Sequence, residues 1–111
     1  MDIINITVSN RATMIESFQL IDENGDAVTL TGATINYEAR EKKTTSVVLS
    51  ATTDDGVTIA GTTATIRFEE TEMDGLDPGE YYHGCTVQLD GETDVEQIFT
   101  GTLNVVDGIV S

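Results

Sequence analysis

Between Phe18 and Arg40 runs FQLIDENGDAVTLTGATINYEAR, two apolar-alternating segments on either side of an acidic Asn24-Gly25-Asp26 turn, with a second break at Thr31-Gly32. Successive side chains of a strand point to opposite faces, so a hydrophobic period of two belongs to a half-buried strand and not to a helix face. Asn-Gly accepts the positive φ of a tight turn without the strain a branched residue would suffer. The stretch is therefore expected to form an antiparallel β-module, with a hairpin folded at Asn24-Gly25-Asp26.

The same period continues along the chain. Ile4, Ile6 and Val8 give the N-terminus one apolar face, and Met14, Phe18 and Leu20 share a parity in the next segment. Ile35, Tyr37 and Ala39 alternate with Asn36, Glu38 and Arg40, the cleanest half-buried strand in the sequence. A polar turn at residues 40–45 leads to Val47, Leu49 and Ala51, and further strands are expected around Val57 and Ile59 and around Ala64, Ile66 and Phe68. Glu70 to Leu76 fits a single helical turn capped by Thr71. Tyr81, His83, Cys85, Val87 and Leu89 then share one face, and Val95, Phe99, Leu103 and Val105 another. Seven or eight short strands with no amphipathic helix of ten residues argue an antiparallel two-sheet sandwich. At 111 residues the whole chain, 1–111, is expected to be one domain.

Charge bounds the partners. Twenty acidic against five basic residues give a net charge of −15, which repels phosphate backbones and anionic lipid alike. Direct binding to nucleic acid or membrane is not expected, and a solubilising surface is the plain reading of the acidity. Cys85, the single cysteine, has no internal disulfide partner, and no apolar run has the form of a signal peptide or membrane span. Synthesis inside a cell is expected.

No constellation declares a reaction. Asp22-Glu23-Asn24-Gly25-Asp26 opens like a calcium loop, but Ala27 stands where that loop needs its glycine and Ala33 where it needs its bidentate glutamate. Glu69, Glu70, Glu72, Asp74, Asp77 and Glu80 form an acidic run without ligand spacing, and charge of this kind also guards sheet edges against pairing. His83 and Cys85, two apart on one strand, project in parallel about 7 Å apart, too far for a nucleophile and its base. A packed thiol beside a hydrogen-bonded imidazole is expected instead. One histidine and one cysteine fall short of a zinc site. Catalytic, cofactor-binding and metal-binding residues are all expected to be absent.

Two local features carry more. Leu76-Asp77-Pro78-Gly79-Glu80-Tyr81 matches the pattern of a tyrosine corner, in which the Tyr81 hydroxyl ties back to the turn around Leu76, Pro78 and Gly79. Arg40, Lys42 and Lys43, three of the five basic residues, cluster at one hairpin tip. Such a cationic tip suits docking on an acidic neighbour, including another copy of the chain.

The N-terminal strand, the Phe18–Arg40 stretch and the late LDPGEYYHGCTVQLDGETDVEQIFTGTLNVV segment together resemble the immunoglobulin-like module at the start of bacteriophage baseplate upper proteins and related tail modules. The resemblance rests on Leu20-Ile21-Asp22, Leu30-Thr31-Gly32-Ala33 and Gly79-Glu80-Tyr81 and covers nearly the whole chain. It implies an immunoglobulin-like β-sandwich and a non-enzymatic structural role in a phage or prophage virion, in tail, baseplate, neck or head. It further implies other virion proteins as partners, homo-oligomeric assembly, and synthesis in the host bacterial cytoplasm. The rival expectation is a carbohydrate- or ligand-binding adhesion sandwich, assisted by calcium.

Overall fold

The computed structural model describes residues 2–107; the single-domain expectation over 1–111 reaches beyond them at both ends. The described chain is all-β apart from one helical turn. Its elements are β1 (Asp2–Ile3), β2 (Ile6–Ser9), β3 (Met14–Gln19), β4 (Thr34–Glu41), β5 (Val47–Thr53), β6 (Gly56–Ala60), β7 (Thr63–Phe68), α1 (Glu70–Met73), β8 (Gly79–Gln88) and β9 (Glu96–Val106).

All strands belong to one hydrogen-bonded sheet ordered β1-β9-β8-β4-β5-β6-β7-β3, with β2 also on β9. Two runs of antiparallel strands, β9-β8-β4-β5 and β6-β7-β3, are joined only by a parallel step of two residue pairs, Thr52 with Gly56 and Thr53 with Val57. The sheet curls almost into a closed barrel. Phe18 of β3 meets Phe99 of β9 edge-on at 6.0 Å between ring centroids, and Tyr37 of β4 meets Phe68 of β7 at 5.8 Å.

The inward parity follows the sequence pattern. Ile35, Tyr37 and Ala39, then Tyr81, His83, Cys85 and Val87, are buried along their strands. Ile66, Phe68, Phe99, Leu103 and Val105 complete the wall, with Ile6, Phe18 and Leu20 half-buried against it.

Several expectations are corrected. The Phe18–Arg40 stretch is not a hairpin of two paired strands: β3 pairs with β7, Phe18 lying opposite Ala64, while β4 pairs with β5 and β8. Asn24-Gly25-Asp26 closes only a small local loop around the Ile21–Ala27 bridge, where the Asp22 carboxylate accepts from the backbone N–H groups of Asn24 and Asp26 at 2.9 and 3.0 Å. Alternation encodes which face a residue presents and is silent on which strand lies beside it.

The N-terminal strand is two short pieces, so the described residues hold nine strands where seven or eight were expected. It breaks at Ile4-Asn5, where Asn5 Oδ1 accepts from the Thr102 N–H at 2.9 Å in place of a ladder bond. Gly101 makes room for this: a Cβ there would overlap the Ile4 carbonyl. Thr71 is not a cap, since the helical turn begins after Glu69 with no side-chain cap bond. Val95 lies outside β9 and is 60% exposed, because the strand starts at Glu96 and shifts register opposite Cys85 and Thr86.

Candidate interaction surface

The tip between β4 and β5 holds Arg40, Lys42 and Lys43 in unequal states. The Arg40 Nη2 lies 2.7 Å from Glu38 Oε2, and its Nη1 donates to the Thr45 carbonyl at 3.1 Å. The Lys42 ammonium is 2.8 Å from Glu80 Oε2 and 5.1 Å from the ring centroid of Tyr82. That hydrogen bond raises the Lys42 pKa and lowers that of Glu80. Both pairs are solvent-exposed and contribute little to stability, but each cation already has its counter-ion. Lys43 is exposed and forms no ion pair among the described residues. Thr45, two residues on, takes a left-handed φ of 56°, which turns the chain sharply back into β5.

The Leu76–Tyr81 segment is anchored from two sides. The Tyr81 hydroxyl donates to the Asp77 carbonyl at 2.6 Å, next to Pro78 and Gly79. Asn10 Nδ2 donates to the Leu76 carbonyl at 3.1 Å, tying the β2–β3 connection to the same turn. Asn10 is buried, and nothing in the sequence around it marks it out. Tyr81→Phe removes a donor from a partly buried carbonyl and is expected to lower unfolding free energy by about 1–2 kcal/mol. Urea denaturation checks this, and an unchanged midpoint with unchanged slope would show that the hydroxyl contributes nothing.

His83 and Cys85 are both buried in the core. The Ile4 carbonyl can only accept, so His83 Nε2–H donates to it at 2.6 Å, and Nδ1 accepts from the Tyr37 hydroxyl at 2.9 Å. Burial lowers the His83 pKa, against the opposing pulls of the Ile4 carbonyl and the Glu16 carboxylate. Burial likewise pushes the Cys85 thiol up to about 12, so it is protonated and unreactive at neutral pH. Glu16, half-buried on the inward parity of β3 between Met14 and Phe18, is a residue the sequence pattern passed over. The relay from Tyr37 through His83 to Ile4 joins three segments far apart in the chain.

The outer face of β4, β8 and β9 carries a shallow groove of about 490 Å³ lined by Asn36, Glu38, Tyr82, Gly84, Thr86 and Gln97, among others. Gln97 Nε2 donates to the Cys85 and Phe99 carbonyls at 3.0 and 2.7 Å, filling the register shift between β8 and β9. Tyr82, 52% exposed, is the aromatic of this groove. Among the described residues, no group of three or more His, Cys, Asp or Glu side chains is placed to hold a metal ion.

No known family's sequence profile matches the chain, and no curated protein matches it. Among solved structures, one similar fold is that of a family 123 glycoside hydrolase from Clostridium perfringens, at 14% identity and a TM-score of 0.36. The match covers 94% of this chain and 23% of that one. At that likeness the hydrolase carries no argument about what this chain does.

Proposed function

We propose that the chain is an immunoglobulin-like β-sandwich that serves as a non-enzymatic assembly module of a phage or prophage virion, acting through protein–protein contacts. Its two layers would be β5-β4-β8-β9, extended by the N-terminal strands, and β6-β7-β3. The observation that carries the assembly reading is the uneven tip: on a chain of −15, Arg40 and Lys42 are neutralised internally and Lys43 is left for a partner. Support for the sandwich comes from the residues behind the resemblance, which sit at points that organise the fold. Asp22 shapes its turn, Leu30 is fully buried, Gly32 takes a φ of 81°, and Tyr81 anchors the turn before β8.

The test has two parts. Mass spectrometry of purified particles from the strain that carries the gene is expected to find the chain as a structural component; its absence from particles overturns the virion reading. Immobilised protein is expected to retain another particle protein at about 0.1 M salt and release it near 1 M, as the Debye length falls from about 10 Å to about 3 Å. Changing Arg40, Lys42 and Lys43 to Glu is expected to abolish that capture. Equal capture by both proteins at every salt would reduce the tip to a solvated turn. Absence from particles together with retention on an array of neutral glycans, lost on Tyr82→Ala, would favour adhesion through the outer groove instead.

A further inference from the structure

Among the described residues the sheet has two outer margins, both guarded, and the short step between β5 and β6 leaves two more, at Thr58–Ala60 of β6 and along β5. The N-terminal margin is split into pieces of two and four residues, and the β3 margin carries the inward-facing Glu16. Short edge strands and inward-pointing charges are devices that discourage edge-to-edge pairing. The β5 margin is the longer of those two. Its residues Val47–Ala51 pair with β4 alone, because contact with β6 is confined to Thr52 and Thr53. From Thr44 to Thr53 the sequence TTSVVLSATT holds no charge, proline or glycine, and Val47 is exposed. A register shift that leaves Val48 unpaired with β4 bends the start of this edge and is its one guard.

We propose that the open edge of β5 is a self-association surface on which Val47–Ala51 pairs antiparallel with the same segment of a second copy. The occupant follows from charge as well as from the edge. Antiparallel pairing about Leu49 brings the turn that carries Lys43 at one end of β5 beside the turn that carries Asp54 and Asp55 at the other end of the second copy's β5, and two-fold symmetry forms that contact twice. Lys43, Asp54 and Asp55 have no ion pair within the described residues. The turn that presents the two aspartates is fixed by its own backbone: the Thr52 N–H donates to the Asp55 carbonyl at 3.0 Å, the Asp55 N–H to the Thr52 carbonyl at 2.8 Å, and Asp54 holds a φ of 68°. This surface deepens the assembly reading and rests on it, since it assigns Lys43 to another copy of the chain. Five residues a side bury less than a standard interface, so the dimer is weak and concentration-dependent.

Sedimentation equilibrium from about 0.01 to 1 mM, paired with amide NMR over the same range, tests it. The wild type is expected to dimerise, with concentration-dependent shifts at residues 46–51 and 43. Lys43→Glu is expected to weaken the dimer by about threefold to tenfold. Adding Asp55→Lys, which returns the net charge to that of the wild type, is expected to restore it. Val47→Lys with Ser50→Lys, both exposed on β5, lines the paired edge of each copy with lysines and is expected to abolish pairing while making the net charge smaller in magnitude. A wild type that stays monomeric throughout, or that shifts at Met14–Gln19 or Ile6–Ser9 instead, overturns the proposal, as does a charge swap that fails to recover association. A monomer that still captures a particle protein through its tip sinks the self-pairing alone; a monomer that captures nothing sinks both.

Discussion

Phe99→Ala is expected to lower the unfolding free energy by about 3–5 kcal/mol, the range for truncating a large aromatic in a packed interior. Phe99 lies where the two ends of the curled sheet meet. Its ring centroid is 6.0 Å from that of Phe18, 6.2 Å from that of Tyr37 and 5.3 Å from that of His83. No neighbour can collapse into the vacated space without moving β3 or β9, and both are held by their ladders to β7 and β8. The transfer loss and the cavity left behind therefore add. Urea denaturation of variant and wild type checks it, and a loss below about 1 kcal/mol would mean that the ring does not occupy the core.

His83→Leu is expected to be of similar size, about 2–4 kcal/mol, for a different reason. It leaves the Ile4 carbonyl and the Tyr37 hydroxyl without their partners, and a buried polar group stripped of its hydrogen bond costs about 1–3 kcal/mol. The same residue gives a pH signature. Its folded pKa is lowered below the ordinary value of 6.5, chiefly by burial, so the unfolded chain takes up the proton first. Stability then falls as pH drops from about 6.5 towards the folded pKa, with a limiting slope of about 1.4 kcal/mol per pH unit. The carboxylates titrate in both proteins. Subtracting the leucine variant's profile between pH 7.5 and 5 should leave the histidine contribution, and parallel profiles would show that His83 is not held neutral by the fold.

The N-terminal strands make the consequence local. Ile4 is held by its N–H to the Thr100 carbonyl at 2.8 Å and by His83 on its own carbonyl, at the point where the strand is broken. Loss of the imidazole is therefore expected to expose the amides of residues 3–9 to hydrogen exchange before those of β4 and β8. Those two strands are paired on both sides along most of their length.

By itself the sequence determined the all-β class, where most of the strands lie and which face most of their apolar residues present. These follow from local rules: a period of two, glycines that tolerate left-handed φ, and a Pro-Gly turn followed by tyrosine. The alternation at residues 35–40 and 81–89 was legible because each strand has one face inward. Only the tertiary structure decided who lies beside whom. The pairing of β3 with β7 in preference to β4, the step from β5 to β6, and the open edge that step leaves all depend on contacts between segments far apart in the chain. Glu16 reads as an ordinary surface charge until β3 is placed against Tyr37 and His83. Arg40, Lys42 and Lys43 read as three equal cations until Glu38 and Glu80 come within reach of two of them, because counter-ions are chosen by distance in space and the sequence records only distance along the chain.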